Sequence, residues 1–355
     1  MPPQRPLTFL QLRLNVDGLP GKYVQEHLGP YRYLDEMSNR QPKGIAAIGG
    51  WLKRRFLARY LGIYSEEHRS IAIACSGHCL IYDCELHLED RVPRVHAGPI
   101  IGNIRRHLME QAPSQPARLA FGLYCEVVSL FSDITLVFVP DFGGLAQVVE
   151  FLSNWLERAR AKRFPACSYI ILIHEERPAK REVRELLSAS FAKHLRVADP
   201  LHAYSASDIA QMIDACFRLS DFTMHDLFLS MAVELDRSFL KRVSYGEGFK
   251  AHHYKAFLQA AISQYTQRPS STFSFITASR LQYPIPIRLE SSLSTYLSNA
   301  VTHEENVRAV ASALVLDAYP PQMHRTYVCQ NTSLVILANA SCRLSTFTHF
   351  PCPLP

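Results

Sequence analysis

Asp83 and Glu85 stand one residue apart at the end of the apolar run Leu80-Ile81-Tyr82-Asp83-Cys84-Glu85. Ligands of open α/β sheets gather beyond the carboxyl ends of the strands, so a carboxylate there is placed to hold Mg²⁺ beside a phosphate, directly or through water. The same position also suits an ordinary turn or cap residue. The matching phosphate loop would lie upstream, and Gly44-Ile45-Ala46-Ala47-Ile48-Gly49-Gly50-Trp51-Leu52-Lys53-Arg54-Arg55 comes nearest to one. Gly49 and Gly50 would let backbone N–H groups approach a phosphate, and Lys53 would supply charge at the opening of a helical stretch. The full G-x-x-x-x-G-K-[ST] pattern is absent: the hydroxyl is missing, and Trp51 stands where the loop should be smallest. Lys53, Arg54 and Arg55 also fit a solvated basic face.

A second constellation is Cys75, Cys79, Cys84 and His87, with His78 between them. Its spacing is loosely that of zinc ligands, but it holds no paired C-x-x-C, and small cysteines along a strand also serve plain core packing. Asp141-Phe142-Gly143 invites comparison with protein kinases. The H-R-D loop, V-A-I-K strand and Gly-rich loop that belong with it are absent, so a turn into the next helix is the better account. His174-Glu175-Glu176 stands where a GTPase carries Asn-Lys-x-Asp, and neither G-x-S-x-G nor H-E-x-x-H occurs.

Short apolar runs that alternate with helical stretches must position these residues. Strands are predicted from Ser70–Ala74 extending to Leu80–Tyr82, at Ile134–Val139, at Tyr169–Ile173 and weakly at Leu195–Ala198. The clearest helix is Leu145–Arg163, where Val148, Leu152, Trp155, Leu156 and Ala159 recur at helical spacing before Pro165. Buried strands separated by such helices predict an α/β domain with a mostly parallel sheet over 46–205. Residues 1–45, rich in Pro and Gly, read as an irregular lead-in. From 206 to 325 the pattern is helical throughout, with stripes at Ser207–Leu219, Met224–Val243, Lys250–Tyr265, Leu289–Asn299 and Glu304–Leu316, and Ser207 or Asp208 suits the first N-cap. Residues 326–355 hold one Arg, no Asp or Glu and three Cys, and read as a loosely attached tail or an end foreign to the fold.

The 355 residues, 48% hydrophobic and 20% charged, suffice for one large or two average domains. No apolar run approaches the roughly 20 residues that a membrane helix needs, which argues against a membrane span. Arg5 and Arg13 interrupt the N-terminal apolar stretch, against a secretory signal, and nine cysteines without framework spacing suit reduced thiols; the expected setting is cytoplasmic or nuclear. Of the net +6, residues 1–69 carry +5 (11 Lys/Arg against 6 Asp/Glu), with no aromatic-interleaved basic motif, which argues against a nucleic-acid partner.

Leu80–Glu85, then Leu123-Tyr124 and Leu130-Phe131-Ser132-Asp133-Ile134-Thr135-Leu136-Val137-Phe138-Val139, resemble the P-loop GTPase-like module of large fungal multidomain proteins. Those modules stand ahead of patatin-like phospholipase or RING regions, and carry a Y-A-D-C-E-G strand end followed by F-S-D-V-V-V-F-V. Phe273–Arg280, Tyr283–Pro286 and Ala313–Pro321 are similar to that family's helical extension, so the likeness spans roughly residues 30–325. It implies a P-loop NTPase-like fold followed by an α-helical extension, GTP and Mg²⁺ as the ligands, and Asp83 as the metal-side carboxylate. Gly49, Gly50, Lys53, Asp83 and Glu85 are then the candidate cofactor-binding residues. The departures fall on the same places: the phosphate loop is eroded, and Leu86 replaces the glycine that would face a γ-phosphate. The expectation is a degenerate, non-catalytic GTPase-like module without a resident cofactor, acting on protein partners in interaction or regulation. The alternatives are an NTPase with an unusual phosphate loop, which would make the chain a GTPase-like hydrolase, and a zinc-stabilised binding module.

Overall fold

The computed structural model describes residues 5–14, 22–65, 70–86, 103–109, 116–162, 168–174, 180–198, 204–244, 248–267 and 272–282, with 291, 294, 295 and 298. In chain order the elements are β1 (Leu7–Leu14), β2 (Lys22–His27), α1 (Arg32–Glu36), β3 (Lys43–Gly49), α2 (Trp51–Leu61), β4 (Ser70–Ser76), β5 (Cys79–Glu85), β6 (Ile104–Leu108) and α3 (Pro116–Glu126). They continue as β7 (Ile134–Phe138), α4 (Leu145–Lys162), β8 (Ser168–His174), α5 (Lys180–Ala198), α6 (Ala206–Cys216), β9 (Phe217–Thr223), α7 (Met224–Ser244), α8 (Ala251–Gln267) and α9 (Phe275–Gln282). The chain divides into two compact units, Met1–Phe273 and Ser274–Pro355. The first holds the sheet; α9 belongs to the second.

The nine strands of the described residues form one sheet in the order β6-β2-β1-β4-β5-β3-β7-β8-β9. The fold is α/β, as expected, but the sheet is mixed rather than mostly parallel. β5, β3, β7, β8 and β9 run parallel, whereas β4, β1, β2 and β6 add antiparallel pairings. Two features of the local pattern explain the difference. The stretch from Ser70 to Tyr82, whose apolar pattern predicts one strand, is a hairpin reversed at Gly77, whose φ of +61° suits a residue without Cβ. The supposed irregular lead-in contains β1 and β2, which extend the sheet beyond β4.

The stretch from 206 onward is likewise not helical throughout, because β9 pairs along β8 from Ser168↔Phe217 to His174↔Thr223. Ile209, Ile213 and Phe217 follow one another at i, i+4, so the helical period runs unbroken across the point where the backbone turns extended. The first helix there is capped by Ser205 rather than Ser207, with Asp208 closing a reciprocal capping box. Leu195–Ala198, read weakly as strand, ends α5, whose Val183, Leu187, Phe191 and Leu195 form one buried stripe. Leu145–Lys162 is helical, and all five residues of its predicted stripe are buried.

Helices cover both faces of the parallel strands, which is why their residues are apolar without strict alternation. On one face Ile45, Ala47, Ile81, Leu136, Phe138 and Ile171 pack under α2 and α7. On the other, Trp155 of α4 meets Phe217 edge-on, and Tyr254 of α8 meets Phe131. At the amino ends of β3 and β7, buried Asp133 accepts from the Gly44 N–H at 2.7 Å and lies 2.9 Å from Arg242 Nε, tying α7 to the sheet. A Cβ on Gly44 would sit 1.9 Å from the Phe131 carbonyl oxygen, so only glycine fits there.

Burial also sets an alkaline limit on stability. Tyr31, Tyr82, Tyr124 and Tyr265 are all buried with phenol pKa values pushed upward, and Tyr254 is pushed to about 12, desolvation being the leading cause in each case. The folded state keeps these protons while the unfolded chain loses them near the free-phenol value of about 10. Stability is therefore full below that value and falls as pH rises through the folded pKa values, Tyr254 alone costing about 1 kcal/mol near pH 11. Urea unfolding at pH 8 and near pH 11 is expected to show a midpoint lower by about 1 M at the higher pH, the loss of a few kcal/mol being divided by a slope near the upper end of about 1–3 kcal/mol/M.

Candidate functional site

β3 is followed directly by α2, and the chain then returns to β5 on one side of β3; the next crossover carries it to β7 on the other side. The connections leaving β3 and β7 diverge, which makes their carboxyl ends a topological switch point, the place where open α/β sheets bind ligands. Gly49 and Gly50 stand there, joining strand to helix with one intervening residue.

The first turn of α2 is Trp51-Leu52-Lys53-Arg54, with no acidic residue, and its N-cap Gly50 has no side chain to offer. A helix start carries uncompensated N–H groups and partial positive charge, so successive basic residues are unfavourable there unless an anion comes from elsewhere. Asp141 supplies it from the 3-10 turn after β7 (Val139–Phe142). Its Oδ2 accepts from the N–H groups of Gly50 at 2.7 Å and Lys53 at 3.0 Å, and its Oδ1 from Leu52 N–H at 2.8 Å. A Cβ on Gly49 would lie 2.6 Å from Asp141 Oδ2 and 2.9 Å from Lys53 Cβ, so glycine at 49 keeps room for the carboxylate.

Parallel register places Asp83 opposite Ala47 and Glu85 opposite Gly49. Spaced by two, both carboxylates project to the face under α2, where Lys53 points down from the helix. Lys53 Nζ lies 2.6 Å from Asp83 Oδ1, 2.9 Å from Glu85 Oε2 and 3.1 Å from the Cys84 carbonyl oxygen. The ammonium donates to Glu85 and to the Cys84 carbonyl and is paired by charge with Asp83. Lys53 and Asp83 side chains are wholly buried, and Glu85 nearly so. Arg54 Nη1 meets the other Glu85 oxygen at 2.7 Å, so two cations face two carboxylates. Ser65 hydroxyl donates to Asp83 Oδ2, the Tyr124 hydroxyl donates to the Glu85 carbonyl, and Leu86 N–H donates to Gly49 O at 3.0 Å.

The structure thus gathers the five residues singled out from the sequence. Gly49 and Gly50 form the turn; Lys53, Asp83 and Glu85 form one ionic cluster. It adds three that local pattern did not flag: Asp141, Arg54 as a Glu85 partner, and Tyr124. Asp141 lies 88 to 91 positions from the amides it caps, and the signal for it was indirect, a basic helix start needing a distant anion.

The cysteines are arranged differently. Cys75 and Cys79 flank the β4–β5 turn on opposite faces of the sheet, while Cys84 lies five residues along β5 from Cys79, about 17 Å away and on the face opposite to it. Burial pushes the Cys84 thiol pKa well up, opposing the thiolate a metal would need. His87 lies outside the described residues. Among the described residues, no group of three or more His, Cys, Asp or Glu could hold a metal ion.

Neither protein-family models nor curated proteins give a match to this chain. Fold and site geometry therefore carry the functional argument. No helix among the described residues is long and apolar enough to cross a membrane.

Proposed function

We propose that the chain is a P-loop GTPase-like module that has given up nucleotide binding and works through protein contacts. One observation carries this reading: the amides of Gly50, Leu52 and Lys53 at the start of α2, in the switch-point crevice, are taken by the chain's own Asp141 carboxylate. The lysine that would meet a phosphate supports it too, because its ammonium donates to Glu85 and the Cys84 carbonyl and is paired by charge with Asp83. A bound GTP would have to expel Asp141 and strip Lys53 from two buried carboxylates. Mg²⁺ would compete with Lys53 for Asp83. Each displacement separates buried charge, which is costly without a replacement partner.

The resemblance segments fit this reading where they can be placed: Leu80–Glu85 coincides with β5 and closes the ionic cluster, and Leu130–Val139 contains β7 and leads to Asp141. Phe273–Arg280 overlaps α9; Tyr283–Pro286 and Ala313–Pro321 lie outside the described residues.

Thermal unfolding with GTP, GDP and ATP, each with Mg²⁺, tests the proposal. No nucleotide is expected to move the transition beyond the effect of matched salt. A saturating shift with GTP, corresponding to about 2.7 kcal/mol at one hundred times the dissociation constant, would overturn it in favour of an NTPase with an unusual loop.

A further inference from the structure

A surface helix ordinarily buries its apolar stripe and turns polar residues outward. α7 buries Leu227 and Leu235 against the sheet, yet its outer face exposes Phe228 (46%), Leu229 (67%), Val233 (58%) and Leu240 (64%). From Phe228 to Leu240 this face runs about 18 Å, just over three helical turns. α2 lies alongside, the Tyr60 ring 4.8 Å from that of Phe228. α2 also exposes Trp51 (60%), with the Arg55 guanidinium 5.5 Å from its ring, and Arg59 at the same distance from Tyr60. Among the described residues the patch joins the residue types that dominate binding energy at interfaces, Trp, Tyr and Arg, to an aliphatic strip.

We propose that the joint outer face of α2 and α7 docks an amphipathic, acidic-flanked helix of another protein. The inference rests on the reading of the chain as a protein-contact module and names the surface and partner type. Charge chooses the occupant. Arg55 and Arg59 make no ion pair with a carboxylate among the described residues and stack only on rings. Of the α7 carboxylates, Glu234 is engaged by Arg237 and the Tyr169 hydroxyl, and Asp236 by Lys43. The patch therefore presents positive charge beside apolar surface and asks for the opposite pattern. A second copy packed about a twofold axis would set the same arginine-flanked patch against itself. The strip's length, just over three helical turns, matches a helix laid along α7 with anchors at i, i+3, i+4 and i+7.

The test uses the full chain and two synthetic amphipathic peptides of about 18 residues, with the same leucine stripe flanked by glutamates in one and lysines in the other. Anisotropy is expected to show the glutamate peptide binding about tenfold or more tighter than the lysine peptide, two surface charge pairs being gained in one and opposed in the other. Hydrogen-exchange protection should fall on 51–61 and 224–244. Arg55→Glu with Arg59→Glu should reverse the preference. Leu229→Ser with Val233→Ser, both at exposed positions, should abolish binding while leaving the thermal midpoint in place. Equal binding of the two peptides, absence of binding, or protection elsewhere would overturn the proposal. So would a concentration-dependent mass that the Leu229/Val233 variant abolishes, since the occupant would then be a second copy. The nucleotide titration is independent: a GTP shift overturns the nucleotide-free reading whatever the peptides do, and failed docking leaves that titration unaffected.

Discussion

Lys53→Met is expected to destabilise the protein by about 3–5 kcal/mol, the range for removing one partner from a buried ionic group. The mutation keeps the length and much of the volume of the side chain, so packing contributes little to the loss. What changes is charge. Lys53 and Arg54 balance Asp83 and Glu85, and without the ammonium one carboxylate is left buried and uncompensated. Asp83→Asn added to Lys53→Met restores neutrality, with Arg54 still on Glu85, and should recover a substantial part of the stability. The double variant is therefore expected to be more stable than the sum of the singles, a coupling that a double-mutant cycle by urea unfolding at pH 7 would measure. A loss below about 1 kcal/mol for Lys53→Met, in the range of an exposed pair, would mean that the lysine is not held between these carboxylates. The same expectation bears on nucleotide assays: a Lys53 variant that fails to respond to GTP says nothing of phosphate contact unless it is shown to be folded.

Local physics made much of this architecture readable. β7 and β8 are short apolar runs between turn signals, and α4 carries a buried stripe of regular spacing; such elements are determined by their own residues. Elements that depend on neighbours were not readable in the same way. β9 carries Arg218, Ser220 and Asp221 at the sheet edge and continues the stripe of α6, so only its pairing with β8 distinguishes it from helix. β2 carries buried polar groups, Gln25 and Glu26, the latter satisfied by the Tyr31 hydroxyl and by His107 at 2.8 Å across the sheet.

The site divides along the same line. Gly49, Gly50, Lys53, Asp83 and Glu85 lie on a strand end and a helix start whose roles can be inferred from residue type. Asp141 looked like part of a Gly-rich turn, and Gly143 and Gly144 do form that turn with φ of +87° and +125°. Its second role depends on the fold bringing the β7 turn to the start of α2. The clue was a conflict between levels: a helix that begins Trp-Leu-Lys-Arg-Arg is electrostatically ill-suited to its own N-terminus. Conflicts of this kind identify places where another part of the molecule, or a ligand, must supply the missing charge.

Asp141→Ala is the second substitution of large expected effect. It removes three charge-assisted hydrogen bonds and leaves the amides of Gly50, Leu52 and Lys53 without their acceptor, beside two arginines. The expected loss is about 2–3 kcal/mol, above an ordinary helix cap because the acceptor is charged and partly buried. The vacated position should then accept an inorganic anion, since N–H groups at a helix start converge on it. The measurement that tests the account most directly is therefore phosphate rescue: urea unfolding of wild type and Asp141→Ala, with and without about 100 mM phosphate against chloride of equal ionic strength. Wild type should show only the general stabilisation that excluded salts give. The variant should gain about 1.4 kcal/mol more than wild type if phosphate binds with a dissociation constant near 10 mM. A variant that loses little stability, or that responds to phosphate no more than wild type, would contradict the claim that Asp141 occupies the anion position at the start of α2.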